Sequence, residues 1–83
     1  MFFTFYILFS ASRNTFYIGH TGDAIDERIR KHNTNHKGFT GNTGDWELFY
    51  LEEFRTKSDA YAREREVKSW KSRQRIKMLI NKP

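Results

Sequence analysis

The sequence predicts an α+β domain in the order ββαβαα, with a three-stranded antiparallel β-sheet flanked by helices. Three observations predict it. The tetrapeptide Thr-Phe-Tyr-Ile occurs at Thr4–Ile7 and again at Thr15–Ile18, with a short polar break between the two copies. A third aromatic run spans Trp46–Phe54. The stretches after Asp23 and after Ser58 instead carry their apolar residues at helical spacing. With 83 residues in all, the chain is read as a single domain over 1–83.

Phe2–Ser10 is rich in Phe, Tyr, Ile and Thr and reads as a strand. Apolar residues fall on both of its faces, which suits a central strand covered on both sides. Ala11-Ser12-Arg13-Asn14 is the break, and Thr15–Gly19 reads as the second strand of a hairpin. A loop of two or four residues centred on Ser12-Arg13 pairs Ser10 with Thr15, Leu8 with Tyr17 and Tyr6 with Gly19. Side chains alternate along strands, so this register puts Tyr6 and Tyr17 on one face, diagonally adjacent. An odd loop would separate them.

Thr21-Gly22-Asp23 reads as a turn, with Asp23 capping a helix from Ala24 to about His32. Asn33–Asp45 is rich in Gly, Asn and Thr and has no period. A loop of that length in a small domain points to a role beyond connection. Trp46–Phe54 is the third strand. Ser58 starts a second helix to about Lys71, and Ser72–Ile80 a short third one.

Composition narrows the partners. Without cysteine there is neither a disulfide framework nor a thiolate metal site. No apolar run approaches the roughly 18 residues of a membrane span. "FFTFYILF" followed by "FSAS" has the outline of a signal peptide, but no Lys or Arg precedes it. The expected location is therefore cytoplasmic. The net charge is +5, and Arg63–Lys82 holds eight Lys or Arg against two acids. That balance points to a polyanion, nucleic acid before an acidic membrane.

Several residues stand out on this frame. On the first helix Ile25, Ile29 and His32 share a stripe, with Arg28 at its edge beside His32. These two read either as a snorkelling Arg and a core His, or as a cation and an imidazole facing a site. On the second helix Ala60, Val67 and Trp70 mark the inward side, and Glu64 falls within it. A carboxylate there needs a cation, a hydrogen-bond network or a metal. The plain alternative is an ion pair, with Lys71 as a candidate partner. Two tyrosines, a glycine, an Arg, a His and an inward acid suit phosphodiester cleavage. The Arg offsets phosphoryl charge, the carboxylate holds Mg²⁺, and a phenol or imidazole takes a proton from water.

At these residues the chain resembles the GIY-YIG nuclease superfamily, and within it the small single-domain members similar to the N-terminal catalytic domain of excinuclease ABC. "TFY" at Thr4–Tyr6 stands at the GIY position with its tyrosine kept, and "YIG" at Tyr17–Gly19 is intact. "ERIRKHN" at Glu27–Asn33 resembles the arginine-containing helix. "SDAYAREREVKSWKSR" at Ser58–Arg73 resembles the segment with the metal-binding glutamate. The resemblance implies the same fold and a DNA endonuclease using one Mg²⁺ or Mn²⁺ ion. It implies catalytic roles for Tyr6, Tyr17, Arg28, His32 and Glu64, with Glu64 on the metal.

There are two departures. The position after YIG, often lysine in the excinuclease, is His20 here. Gly19 and His20 are the expected point of phosphate approach, His20 as an electrostatic partner or proton acceptor, although alternation points it away from Tyr17. Several family nucleases carry an asparagine about a dozen residues after the glutamate. Ile76 stands there, and the nearest asparagine is Asn81.

A free phenol titrates near about 10 and an imidazole near about 6.5. Tyr17, assisted by Arg28 or the metal, is the preferred base, with Tyr6 and His32 as competitors. The expected partner is DNA, with a branched, flapped or damaged duplex as the substrate class and no membrane. Lys37, Lys68, Lys71, Arg73, Arg75 and Lys77 are the expected DNA-binding residues. Specificity would come from DNA shape or from a partner protein. The alternative is a non-catalytic nucleic-acid-binding module on the same fold.

Overall fold

A computed structural model of the chain describes residues 2–34 and 37–81. Asn35 and His36, within the expected loop, and Lys82 of the basic segment lie outside the described residues. The elements are β1 (Phe3–Ser10), β2 (Thr15–Thr21), α1 (Ile25–His32), β3 (Trp46–Phe54), α2 (Lys57–Ser69) and α3 (Arg73–Ile80). The order ββαβαα is the expected one.

The sheet runs β2-β1-β3 and is antiparallel throughout. β1 is central because it is apolar on both faces: Phe5, Tyr6, Ile7 and Leu8 are all fully buried. One face, bearing Phe5, Ile7 and Ile18, packs on Val67 of α2 and Ile76 of α3. The other, bearing Tyr6 and Leu8, packs on Trp46 with Ile25 and Ile29 of α1 against it. Each such buried side chain stabilises by about 1.5–3 kcal/mol.

The hairpin has the even register. Ser10 pairs with Thr15, Leu8 with Tyr17 and Tyr6 with Gly19. Asn14 turns the loop in the left-handed region at φ 52°. Asp45 ties this loop down from across the sheet. Its carboxylate accepts from Ser10 Oγ at 2.6 Å and from the Ser12 amide at 2.8 Å. Those two bonds hold its pKa below the usual aspartate value. A bulge shifts the β1–β3 register between Ile7 and Leu8.

Element ends differ in detail from the sequence reading. β2 continues to Thr21 rather than stopping at Gly19. Asp23 does not cap α1: Ala24 is the N-cap, without a side-chain bond. The Asp23 amide instead donates to Thr21 Oγ1 at 3.0 Å, and its carboxylate lies 3.7 Å from Lys31. Thr56, not Ser58, opens α2 by accepting from the Asp59 amide, and Ser72 does the same for α3 with the Arg75 amide. α2 stops at Ser69 because Lys71 takes the left-handed conformation, φ 48°. Among the described residues no helix is long and apolar enough to cross a membrane.

Candidate active site

Four of the expected residues converge on the α1 side of the sheet. Tyr6 sits on β1, Tyr17 diagonally across on β2, and Arg28 and His32 one turn apart on α1. The Tyr6 and Tyr17 ring centroids are 6.3 Å apart, and Tyr17 lies 4.7 Å from His32. The helical stripe that half-buries Ile25 and Ile29 also buries His32 and leaves Arg28 half-exposed at its edge.

Hydrogen bonds order this cluster in one direction. Arg28 Nε donates to the Tyr6 oxygen at 3.5 Å, and that oxygen lies 2.8 Å from His32 Nε2. An oxygen accepting from Arg28 turns its own hydrogen toward Nε2, which then acts as an acceptor. Nδ1 accordingly carries the imidazole hydrogen and donates to Thr40 Oγ1 at 2.9 Å. The Thr40 carbonyl accepts from the Trp46 indole at 3.1 Å. Among the described residues no buried side-chain nitrogen or oxygen lacks a partner.

Burial pushes the Tyr6 pKa above the ordinary phenol value. The Arg28 hydrogen bond opposes this, and the charges of Tyr17 and Glu64 add to the rise. Tyr6 is therefore a poor base. The same contact raises the Arg28 pKa, keeping the guanidinium charged. The Tyr17 hydroxyl makes no hydrogen bond within the described residues, which leaves it open to water or substrate.

Gly19 serves this cluster differently from the phosphate approach expected for it. It is buried, and a Cβ built there would lie 2.7 Å from the Tyr6 oxygen and 3.1 Å from Tyr17 Cε2. The missing side chain makes room for the Tyr6 phenol. His20, next in the strand, points to the opposite face as alternation requires. Its Nδ1 lies 2.7 Å from Glu64 Oε1.

Glu64 is thus bound from β2 and from its own helix. Lys68 Nζ donates to Oε2 at 2.7 Å, and the carboxylate is 13 % exposed. The ion-pair partner is Lys68, not Lys71, which the helix end carries away. Burial pushes the Glu64 pKa up, but the bonds from Lys68 and His20 outweigh it and leave the pKa lowered. Lys68 also lines a cleft of about 270 Å³ with Tyr17 and Phe39. It therefore borders both the tyrosines and the acid, and it joins the two halves of the site around the β2 edge.

The other basic residues lie elsewhere. Arg73 donates to the Asn14 carbonyl at 2.7 Å and packs over Phe9 and Phe16. With Lys77 it lines a separate groove of about 360 Å³. Arg75 stacks on Trp70 at 4.5 Å. Lys37, Lys71 and Lys77 are exposed. Ile76, at the family's asparagine position, is part of the core, and Asn81 caps α3 at the surface.

Sequence reasoning missed Thr40 and the His20–Glu64 contact. Thr40 lies in an aperiodic loop that gives its side chains no facing. The His20 contact was within reach: alternation turned His20 to the same layer into which the α2 stripe turned Glu64.

Comparison with known proteins agrees with this geometry. The family model described as the GIY-YIG catalytic domain matches residues 2–77. A UPF0213 protein of Staphylococcus epidermidis, found in two strains, is 35 % identical over 77 residues, covering 90 % of this chain and 92 % of its own. The solution NMR structure of a UPF0213 protein from Bacillus halodurans is similar at 30 % identity and a TM-score of 0.57. The match covers 96 % of this chain and 83 % of that one. The tyrosine pair on adjacent strands, the arginine helix and the inward glutamate thus sit in a fold shared over almost the full length, and the chain belongs to the GIY-YIG family, whose catalytic domain is of nuclease type.

Proposed function

We propose that the protein is a metal-dependent DNA endonuclease that hydrolyses phosphodiester bonds, with branched, flapped or damaged duplexes of repair and recombination as its substrates. The observation that carries this reading is the contrast between the two phenols. Tyr6 is buried and bonded to Arg28 and His32, whereas Tyr17 beside it has a hydroxyl with no internal hydrogen bond.

In this reading Tyr17 accepts the proton of the attacking water. Arg28, half-exposed and permanently charged, offsets charge on the phosphoryl oxygens. Tyr6 and His32 hold Arg28 and the Tyr17 ring in place. Glu64 would hold a single divalent ion, Mg²⁺ or Mn²⁺. The residues fit such an ion in kind: among the described residues there is no group of three or more His, Cys, Asp or Glu able to enclose a metal. Mg²⁺ is commonly held by one or two carboxylates, with water and phosphate oxygens as its other ligands. Both Glu64 oxygens are engaged, so ion entry requires Lys68 to release Oε2. When bound, the ion supplies Lewis-acid stabilisation of the phosphate.

That occupied carboxylate, with Ile76 in the core at the asparagine position, favours a second reading: a DNA-binding module without cleavage. Incubation of plasmid and branched DNA with Mg²⁺ or Mn²⁺ separates the two. Cleavage is expected from the wild type, with a loss of about 10²–10⁴-fold in Tyr17→Phe and a comparable loss in Glu64→Gln. Unchanged cleavage in Glu64→Gln overturns the metal assignment. Binding with no cleavage of any substrate establishes the module.

A further inference from the structure

We propose that His20 is a second ligand to the divalent ion, so that His20 Nδ1 and Glu64 Oε1 form a two-point cation site where β2 meets α2. The inference rests on the reading of Glu64 as the metal residue and adds to it the ligand that the tyrosine face does not supply.

The geometry argues for it. Nδ1 and Oε1 belong to residues 44 positions apart, on different elements, yet lie 2.7 Å from each other. Neighbouring ligands of an octahedral ion with bonds of about 2.1 Å stand about 3 Å apart. The two donors are therefore placed to within a few tenths of an ångström of a shared ion. The ion takes the place of the proton that now lies between them, and the imidazole keeps its remaining hydrogen on Nε2.

The surroundings hold the ring and leave room. His20 is fixed by its place in β2 and by the Tyr61 ring, whose centroid is 5.4 Å away. Its side chain is 19 % exposed, and that of Glu64 13 %. A cavity of about 440 Å³ opens beside His20, lined also by Lys57, Ser58 and Tyr61. That volume accommodates the waters and phosphate oxygens that two protein ligands leave to be supplied. The ammonium of Lys57 at its wall complements an incoming phosphate.

An imidazole changes which ions are preferred. Carboxylate and water suit Mg²⁺, whereas an imidazole nitrogen favours first-row transition ions. A site of one nitrogen and one carboxylate therefore holds Mn²⁺ more tightly than Mg²⁺. A lone carboxylate discriminates less.

The test uses Mn²⁺ alone, without DNA, and reads electron paramagnetic resonance. Titration of the full chain measures Mn²⁺ affinity, and electron spin-echo modulation detects nitrogen bonded to the ion. The wild type should show ¹⁴N modulation that converts to a ¹⁵N pattern when histidine is ¹⁵N-labelled. His20→Ala should abolish the modulation and weaken Mn²⁺ binding tenfold or more. Mn²⁺ bound through Glu64 without nitrogen modulation, or equal affinity in His20→Ala, overturns the inference and leaves the metal role of Glu64 standing. Mn²⁺ affinity unaltered in Glu64→Gln, or no binding to the wild type, overturns both. Because the spin-echo signal is read on the unmutated protein, the result does not depend on how well His20→Ala folds.

Discussion

The Tyr6 hydroxyl lies 2.8 Å from His32 Nε2, with both side chains buried in the layer between the sheet and α1. The phenol thereby fixes the imidazole that packs against Tyr17. Tyr6→Phe leaves Nε2 and Arg28 without this partner. An unsatisfied buried group costs about 1–3 kcal/mol. Urea unfolding should show that loss, together with reduced DNA cleavage.

Gly19→Ala tests the same cluster from the opposite strand. Its Cβ would meet the Tyr6 oxygen at 2.7 Å, and Tyr6 is fully buried and hydrogen-bonded, so it has little room to retreat. Overpacking of this kind costs about 1–3 kcal/mol. Thermal unfolding should register it, and a Gly19→Ala variant as stable as wild type would show that the phenol can move aside.

Stability should fall in acid through Glu64. Its folded-state pKa lies below the unfolded value, because Lys68 and His20 outweigh the opposing effect of burial. The stabilisation is present above about pH 4.5 and is lost as pH falls through the lower folded value. The stability gap between wild type and Glu64→Gln should therefore narrow from pH 6 downward. A constant gap would contradict the pairing.

Lys68→Ala should tighten Mn²⁺ binding in the absence of DNA and weaken DNA binding. The ammonium neutralises Glu64 Oε2 at 2.7 Å and also lines the Tyr17 cleft. Calorimetric titration with Mn²⁺ checks the first effect. The salt dependence of DNA affinity checks the second, because removing one phosphate contact lowers the slope by about one.

Arg73→Ala should act on stability more than on DNA. Its guanidinium bonds Asn14 of the hairpin loop at 2.7 Å and stacks over Phe16 at 5.4 Å. Loss of that clasp costs about 0.5–1.5 kcal/mol. DNA affinity should change less than in Lys77→Ala, whose ammonium is exposed. The opposite ranking would make Arg73 a phosphate contact first.

The sheet was legible because strand periodicity is rigid. A period of two and an even loop allow one register, and Tyr6 opposite Gly19 follows from counting. β1 announced its central place by being apolar on both faces. Helix stripes are broader. At α2 the stripe placed Glu64 inward but did not choose between Lys68 and Lys71, and the choice fell to the left-handed Lys71 that ends the helix. Caps were less legible still: Asp23 and Ser58 both suit the position, and Ala24 and Thr56 hold it. Thr40 lay beyond reach because its placement comes from Trp46 and His32, which are distant in type and position.

Tyr6 and His32 belong to the packed interior as much as to the site, while Tyr17 and Glu64 stand at its rim. The two groups would respond unequally to the loss of cleavage. A descendant that ceased to cut DNA would still need the interior pair to stay folded, and would be at liberty to discard the rim pair. The diagnostic letters of an active enzyme are therefore the second tyrosine and the helix glutamate. The first tyrosine, deepest in the motif, says least about whether the protein still works.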